Sequence, residues 1–94
     1  MLIVGVVQIE LSIPWAESLK DKRRAIKGLK EKVRNRFNVS IAEVDQNDVW
    51  RTAVLGMAAV ANDVKFIQSV CQKVVNFIEE HPDTVLEDYT VEII

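Results

Sequence analysis

Leu2-Ile3-Val4-Gly5-Val6-Val7-Gln8-Ile9-Glu10-Leu11-Ser12-Ile13, residues 2–13, alternates with a period of two. Ile3, Val7, Ile9, Leu11 and Ile13 fall on one side with Gly5 among them. Leu2, Val4 and Val6 fall on the other, followed by Gln8, Glu10 and Ser12. β-branched residues at this spacing predict a strand, and Pro14, which has no amide hydrogen, stops it. The first half of the stretch is apolar on both faces, so it belongs in the middle of a sheet rather than at its rim.

The segments that follow supply its neighbours. Ser18 is placed to cap a helix, accepting from the amide three residues on while Asp21 reaches back in a short-armed capping box. Leu19, Ile26, Leu29, Val33 and Phe37 keep the helical period and form a narrow apolar stripe. Phe37 to Val44 resumes a β-rich pattern, and Asp45-Gln46-Asn47-Asp48 reads as a turn because short Asp and Asn side chains bond locally to the backbone. Trp50 to Ala61 is the third strand expected. Asn62 or Asp63 then caps a second helix, with Val64, Ile67, Val70, Cys71, Val74, Phe77 and Ile78 on one face, ended by His81-Pro82. Val85 to Ile94 forms the last strand, with Val85, Tyr89, Val91 and Ile93 expected on a shared side.

The element order is βαββαβ over one domain, residues 1–94. This predicts an α+β, ferredoxin-like fold: a four-stranded antiparallel sheet with two helices on one face. In that topology strands one and three are central, and these are the two whose second face is also apolar. The outer strands carry Ser40, Glu43 and Asp45, and Glu87, Asp88 and Glu92, charges that discourage stray pairing.

Composition bounds the function. Of 94 residues 49% are hydrophobic and 28% charged, the balance of a folded soluble chain. A single cysteine, Cys71, forms no internal disulfide, and one cysteine with one histidine supplies too few soft ligands for a zinc or iron–sulfur site. Neither metal nor cofactor is expected. Met1 to Trp15 has no basic flank and includes Gln8 and Glu10, so neither a signal peptide nor a membrane span is expected, and the setting is expected to be cytoplasmic.

The net charge of −2 conceals a segregation. Residues 18–36 hold nine basic residues against Asp21 and Glu31, a local charge of +7; the remaining residues hold three basic against twelve acidic, or −9. On a helix Lys20, Arg23, Arg24, Lys27, Lys30 and Arg34 share a sector of about 120° beside the apolar stripe. Like charges this close repel, and the first of them also sit at the positive end of the helix dipole. A phosphate or an acidic partner relieves both penalties. The simpler alternative is a solvated helix face whose lysine stems cover the edge of the core. Trp15, just before this helix, is placed either to stack on a base or to close the end of the core.

Other reactive side chains have ordinary explanations. Cys71, on an apolar helix face, reads as a small core hydrophobe. His81, at a helix C-terminus, suits the dipole as an imidazolium. No nucleophile is paired with a base, and Ser12 to Ser18 has no arginine of the kind with which acylphosphatases of this topology hold phosphate. The chain is therefore read as not an enzyme.

Three stretches together resemble the YlxP-like family of small bacterial proteins. They are Ser18-Leu19-Lys20-Asp21-Lys22-Arg23, Phe37-Asn38-Val39-Ser40-Ile41-Ala42-Glu43-Val44, and Asp48 through Gly56 with Trp50 and Leu55 between. The resemblance runs from Gly5 to about Asn62. It implies a ferredoxin-like fold and a bacterial cytoplasmic setting. Genes of the family often lie among those for translation initiation and ribosome maturation, which implies an RNA or ribosome connection. The family has no established catalytic residues, so none carries over.

The reading that follows is a non-catalytic RNA- or ribosome-associated protein. Lys20, Arg23, Arg24, Lys27, Lys30 and Arg34 dock phosphates and Trp15 adds a stacking contact. A protein–protein interaction module and a ligand-sensing dimer are the alternatives. A homodimer through the open sheet face is expected, with Leu2, Val4 and Val6 in the interface.

Overall fold

A computed structural model describes residues 1–94. The elements are β1 (Ile3–Ser12), α1 (Leu19–Arg36), β2 (Ser40–Asp45), β3 (Thr52–Ala61), α2 (Val64–Glu79) and β4 (Val85–Ile93). The sheet order is β2-β3-β1-β4 with every neighbouring pair antiparallel. This is the ferredoxin-like arrangement, with β1 and β3 central as their two-sided apolar pattern requires.

Val7 pairs with Met57, Ile9 with Leu55 and Leu11 with Ala53, so one face of the central strands is a continuous apolar surface. Ile26, Leu29 and Val33 of α1 and Ile67, Cys71, Val74, Val75 and Ile78 of α2 close over it and are buried with it in one core. α2 lies close over β1 at Gly5. A Cβ placed there would lie 2.8 Å from Cys71 Sγ and 2.9 Å from Ile67 Cγ1. Glycine at this position is a condition for the helix lying so near the strand.

Both helix caps are side-chain caps. Ser18 Oγ accepts from the Asp21 amide at 3.0 Å and Asp63 accepts from the Phe66 amide at 2.9 Å. The reciprocal half of the first box is shifted by one residue. Asp21 accepts from the Glu17 amide at 3.1 Å, because its short side chain meets the chain before Ser18 rather than at it.

Several boundaries differ from those expected. Leu2 lies outside β1, β2 begins at Ser40 rather than Phe37, and Trp50 stands in the β2–β3 connection, two residues before β3. Phe37 is held back by the helix, its amide donating to the Val33 carbonyl at 2.8 Å. Val85 does not share a face with Tyr89, Val91 and Ile93. The β1–β4 register shifts between Glu10 and Leu11, leaving Glu87 as an extra residue, so Leu86 opposes Leu11 and takes the core side. Ser12 Oγ donates to Glu87 at 2.7 Å beside this bulge. A matching shift in β2 makes Val44 the extra residue opposite β3, where its methyl group leans over Gly56.

Candidate nucleic-acid interface

The nine basic residues of α1 separate into three groups according to their angle around the helix. The core-facing side is marked by Ala25, Ile26, Leu29 and Val33, all buried. Lys20, Arg23, Arg24, Lys27, Lys30 and Arg34 lie on the flank toward the free edge of β2. Lys32 and Arg36 lie on the flank toward α2. Lys22 points into the protein.

On the outer flank Lys20, Arg23, Arg24, Lys27 and Arg34 are exposed and Lys30 is half-buried. One carboxylate engages the group: Asp21, 3.3 Å from the Arg24 guanidinium. Lys20, Arg23, Lys27 and Lys30 have no acidic partner. Arg34 has a second task. Its Nη2 donates to the Ile41 carbonyl at 2.7 Å, satisfying an acceptor on the edge strand that would otherwise be open to another chain. Arg34 is thus partly a structural residue and Arg24 is paired with Asp21, so Lys20, Arg23, Lys27 and Lys30 carry the free charge of this flank.

Lys22 is fully buried. Its Nζ lies 2.8 Å from Glu43 Oε2 on β2 and donates at 2.5 Å to the carbonyl of Gln46. Gln46 adopts a positive φ of 59°, the left-handed conformation that turns the chain out of β2. The lysine therefore pins α1 to the start of the β2–β3 turn. Its place in a run of basic residues concealed this; the signal in the sequence is its helical spacing from Ile26, Leu29 and Val33.

Trp15 is 43% exposed, with its indole Nε1 donating to the Asp83 carbonyl at 2.8 Å. It ties the β1–α1 loop to the α2–β4 loop, and Arg51 secures the same loop by donating to the Ala16 carbonyl at 2.9 Å. The edge of the indole is committed to this joint. Half of its surface remains open.

The remaining titratable groups are inward. Cys71 is buried, and burial pushes its thiol pKa up. His81 is also buried, which overturns the imidazolium expected at the end of α2. Burial and then the nearby charge of Lys32 hold its pKa below the ordinary value, against an opposing pull from Asp83. No three of the His, Cys, Asp and Glu side chains cluster as a metal site would require, and no helix is long and apolar enough to cross a membrane.

Residues 4–91 match the family described as "Protein of unknown function (DUF503)". The chain belongs to this family. Within it, the chain is 36% identical over 81 residues to the uncharacterized protein YlxP of Bacillus subtilis (strain 168), covering 86% of this chain and 88% of that relative. The family match thus reaches beyond the quoted motifs, through α2 and into β4. Among solved structures, the de novo designed protein Foldit4 superimposes with a TM-score of 0.55 at 16% identity, over 100% of this chain and 97% of that one. The structural-genomics protein YjcS does so with a TM-score of 0.51 at 13% identity, over 95% and 96%. Both likenesses are of fold alone, and they assign this DUF503 chain no activity.

Proposed function

We propose that this DUF503 protein is a non-catalytic RNA-binding protein that docks backbone phosphates along the outer flank of α1. One observation carries the reading: Lys20, Arg23, Lys27 and Lys30 stand on one flank of one helix without a carboxylate partner. Most of the protein's acidic residues lie elsewhere. Such a row repels itself in the free protein, and the repulsion is relieved when phosphates replace the counterions. Arg24 and the half-exposed ring of Trp15 extend the same surface. The contacts position the RNA and read no bases.

The test uses a fluorescent single-stranded RNA oligonucleotide and anisotropy over a range of salt. Because Arg34 also holds the β2 edge, the charge-reversal variant is Lys20→Glu, Arg23→Glu and Lys27→Glu, which leaves Arg34 in place. Binding is expected to fall by more than tenfold. The slope of log affinity on log salt is expected to flatten by about 2, three phosphate contacts at about 0.7 each. Equal binding by the triple variant would leave the flank as solvated surface and end the proposal.

A further inference from the structure

The inner flank of α1 builds a second basic feature, separate from the RNA surface. Lys32 and Arg36 are four residues apart on α1, Lys73 and Phe77 are four apart on α2, and Glu80, the C-cap of α2, follows three residues later. Between the two helices they line two adjoining depressions of about 290 and 280 Å³ that share Phe77 and Glu80. Lys32, Arg36 and Lys73 stand against Glu80 in the lining and Asp83 beside His81, so the cleft keeps a net positive charge. None of Lys32, Arg36 and Lys73 forms an ion pair.

The guanidinium of Arg36 is held in place. It lies 5.3 Å from the centre of the Phe77 ring and 6.0 Å from that of Phe37, and the two rings meet edge to face at 5.7 Å. Cation–π attraction of this kind favours the fork lying beside the two rings, which lessens the ordering needed when an anion arrives. His81 forms part of the same wall, its side chain 4% exposed. The imidazole is flanked by Lys32 of α1, by Glu80 at the end of α2, and by Asp83 at 3.9 Å from its Nε2.

We propose that this cleft binds the phosphate group of a small phosphorylated ligand, held by Lys32, Arg36 and Lys73. A phosphate monoester carries roughly −1.5 to −2 at neutral pH, opposite in sign to the net charge of the cleft. The planar guanidinium offers paired donors to its oxygens and the two ammonium groups supply point charges from either side.

His81, the one histidine of the chain, reports occupancy without needing to touch the ligand. In the free protein Lys32 repels a proton on His81; a bound dianion cancels that repulsion and raises the imidazole pKa. The experiment follows the ring resonances of His81 by NMR over a pH series. Inorganic pyrophosphate and adenosine monophosphate at millimolar concentration are the probes, with sodium chloride of equal ionic strength as the reference. Saturable binding and an upward shift of the His81 pKa are expected with both probes. Lys32→Ala and Lys73→Ala are each expected to weaken binding about tenfold. The Lys20→Glu, Arg23→Glu, Lys27→Glu variant is expected to bind both probes as wild type does, which separates this site from the RNA surface. The proposal is overturned if His81 responds to the probes only as it does to sodium chloride. It is equally overturned if a short RNA moves His81 while neither small phosphate does, since the cleft would then be an extension of the RNA surface.

Discussion

Lys22 Nζ lies 2.8 Å from Glu43 Oε2, and the lysine is wholly removed from solvent. This ion pair joins the first turn of α1 to the end of β2, and the Gln46 carbonyl accepts a hydrogen bond from the same ammonium. Removing one partner leaves a charge with nowhere to go. Glu43→Ala is expected to cost about 3 kcal/mol, the lower end of the range for a buried pair broken on one side, because the Gln46 carbonyl remains. Urea denaturation measures it directly. Replacing both partners, Lys22→Met with Glu43→Leu, is expected to recover most of the loss, since a buried pair contributes little beyond an apolar pair of similar volume.

Gly5→Ala tests the close approach of α2 to β1. The new methyl group would meet Cys71 Sγ at 2.8 Å and Ile67 Cγ1 at 2.9 Å, so the helix must move away or the side chains must leave their rotamers. Overpacking of this kind costs about 1–3 kcal/mol, or roughly 4–8 °C of Tm per kcal/mol for a domain of this size. Adding Cys71→Ala removes the nearer obstruction, so the double variant is expected to lose less than the sum of the single losses. Thermal melts of the three variants supply the cycle. Strict additivity would show that the two positions are not in contact.

The fold was legible because its signals are local and agree with one another. Period two in residues 2–13, the Ser18 and Asp63 caps and the Asp-Gln-Asn-Asp turn each act within a few residues. What escaped depends on pairing across the sheet. No pattern in Val85 to Ile93 discloses that Glu87 is an extra residue, since a bulge is a relation to β1 rather than a property of β4. The outer basic flank was readable from the helical period. The inner cleft was not: Lys32 and Arg36 acquire their meaning from Lys73 and Phe77, some forty residues away on α2. Lys22 was hidden by its neighbours, because a charge among charges reads as surface until its spacing is set against the apolar stripe.

His81 gives the stability a dependence on mildly acid pH. Burial first, then Lys32, hold the folded-state pKa of the imidazole below its ordinary value, with Asp83 opposing. Between the two values the unfolded chain takes up a proton that the folded chain refuses. The contribution of His81 is therefore complete above about pH 6.5 and is lost as pH falls from there toward the folded pKa. Urea melts at about pH 7.5 and about pH 5.5 are expected to show lower stability at the acid end. His81→Gln, which cannot titrate, is expected to lessen that difference. An unchanged difference in the variant would assign it to other groups.

The face of the sheet opposite the helices is expected to be covered by a second copy of the chain. Val4 pairs with Val60 and Val6 with Ala58 on this face, and Ala42 sits opposite Gly56 beneath the Val44 bulge. Leu2 and Val60 continue the patch and are 73% and 64% exposed. Toward the other end of β1 the same face turns polar, with Gln8, Glu10 and Asp88. A two-fold axis through the patch and across the strands lays apolar on apolar and points Glu10 and Asp88 of the two copies apart, leaving Glu92, beside Val6 on the outer strand, as the carboxylate at the rim of the patch. Its strength follows from its size. Four strands about 4.8 Å apart and ten residues rising about 3.3 Å each give a face of roughly 600 Å², of which the apolar half is well under the ~800 Å² per partner of a standard interface. The dimer is therefore expected to form at high concentration and dissociate on dilution. Light scattering over a concentration series is expected to rise from the mass of one chain toward twice that value, and Val6→Asp is expected to hold it at one chain while circular dichroism stays unchanged. A single-chain mass for the wild type throughout the series would show that this face is not a self-association surface.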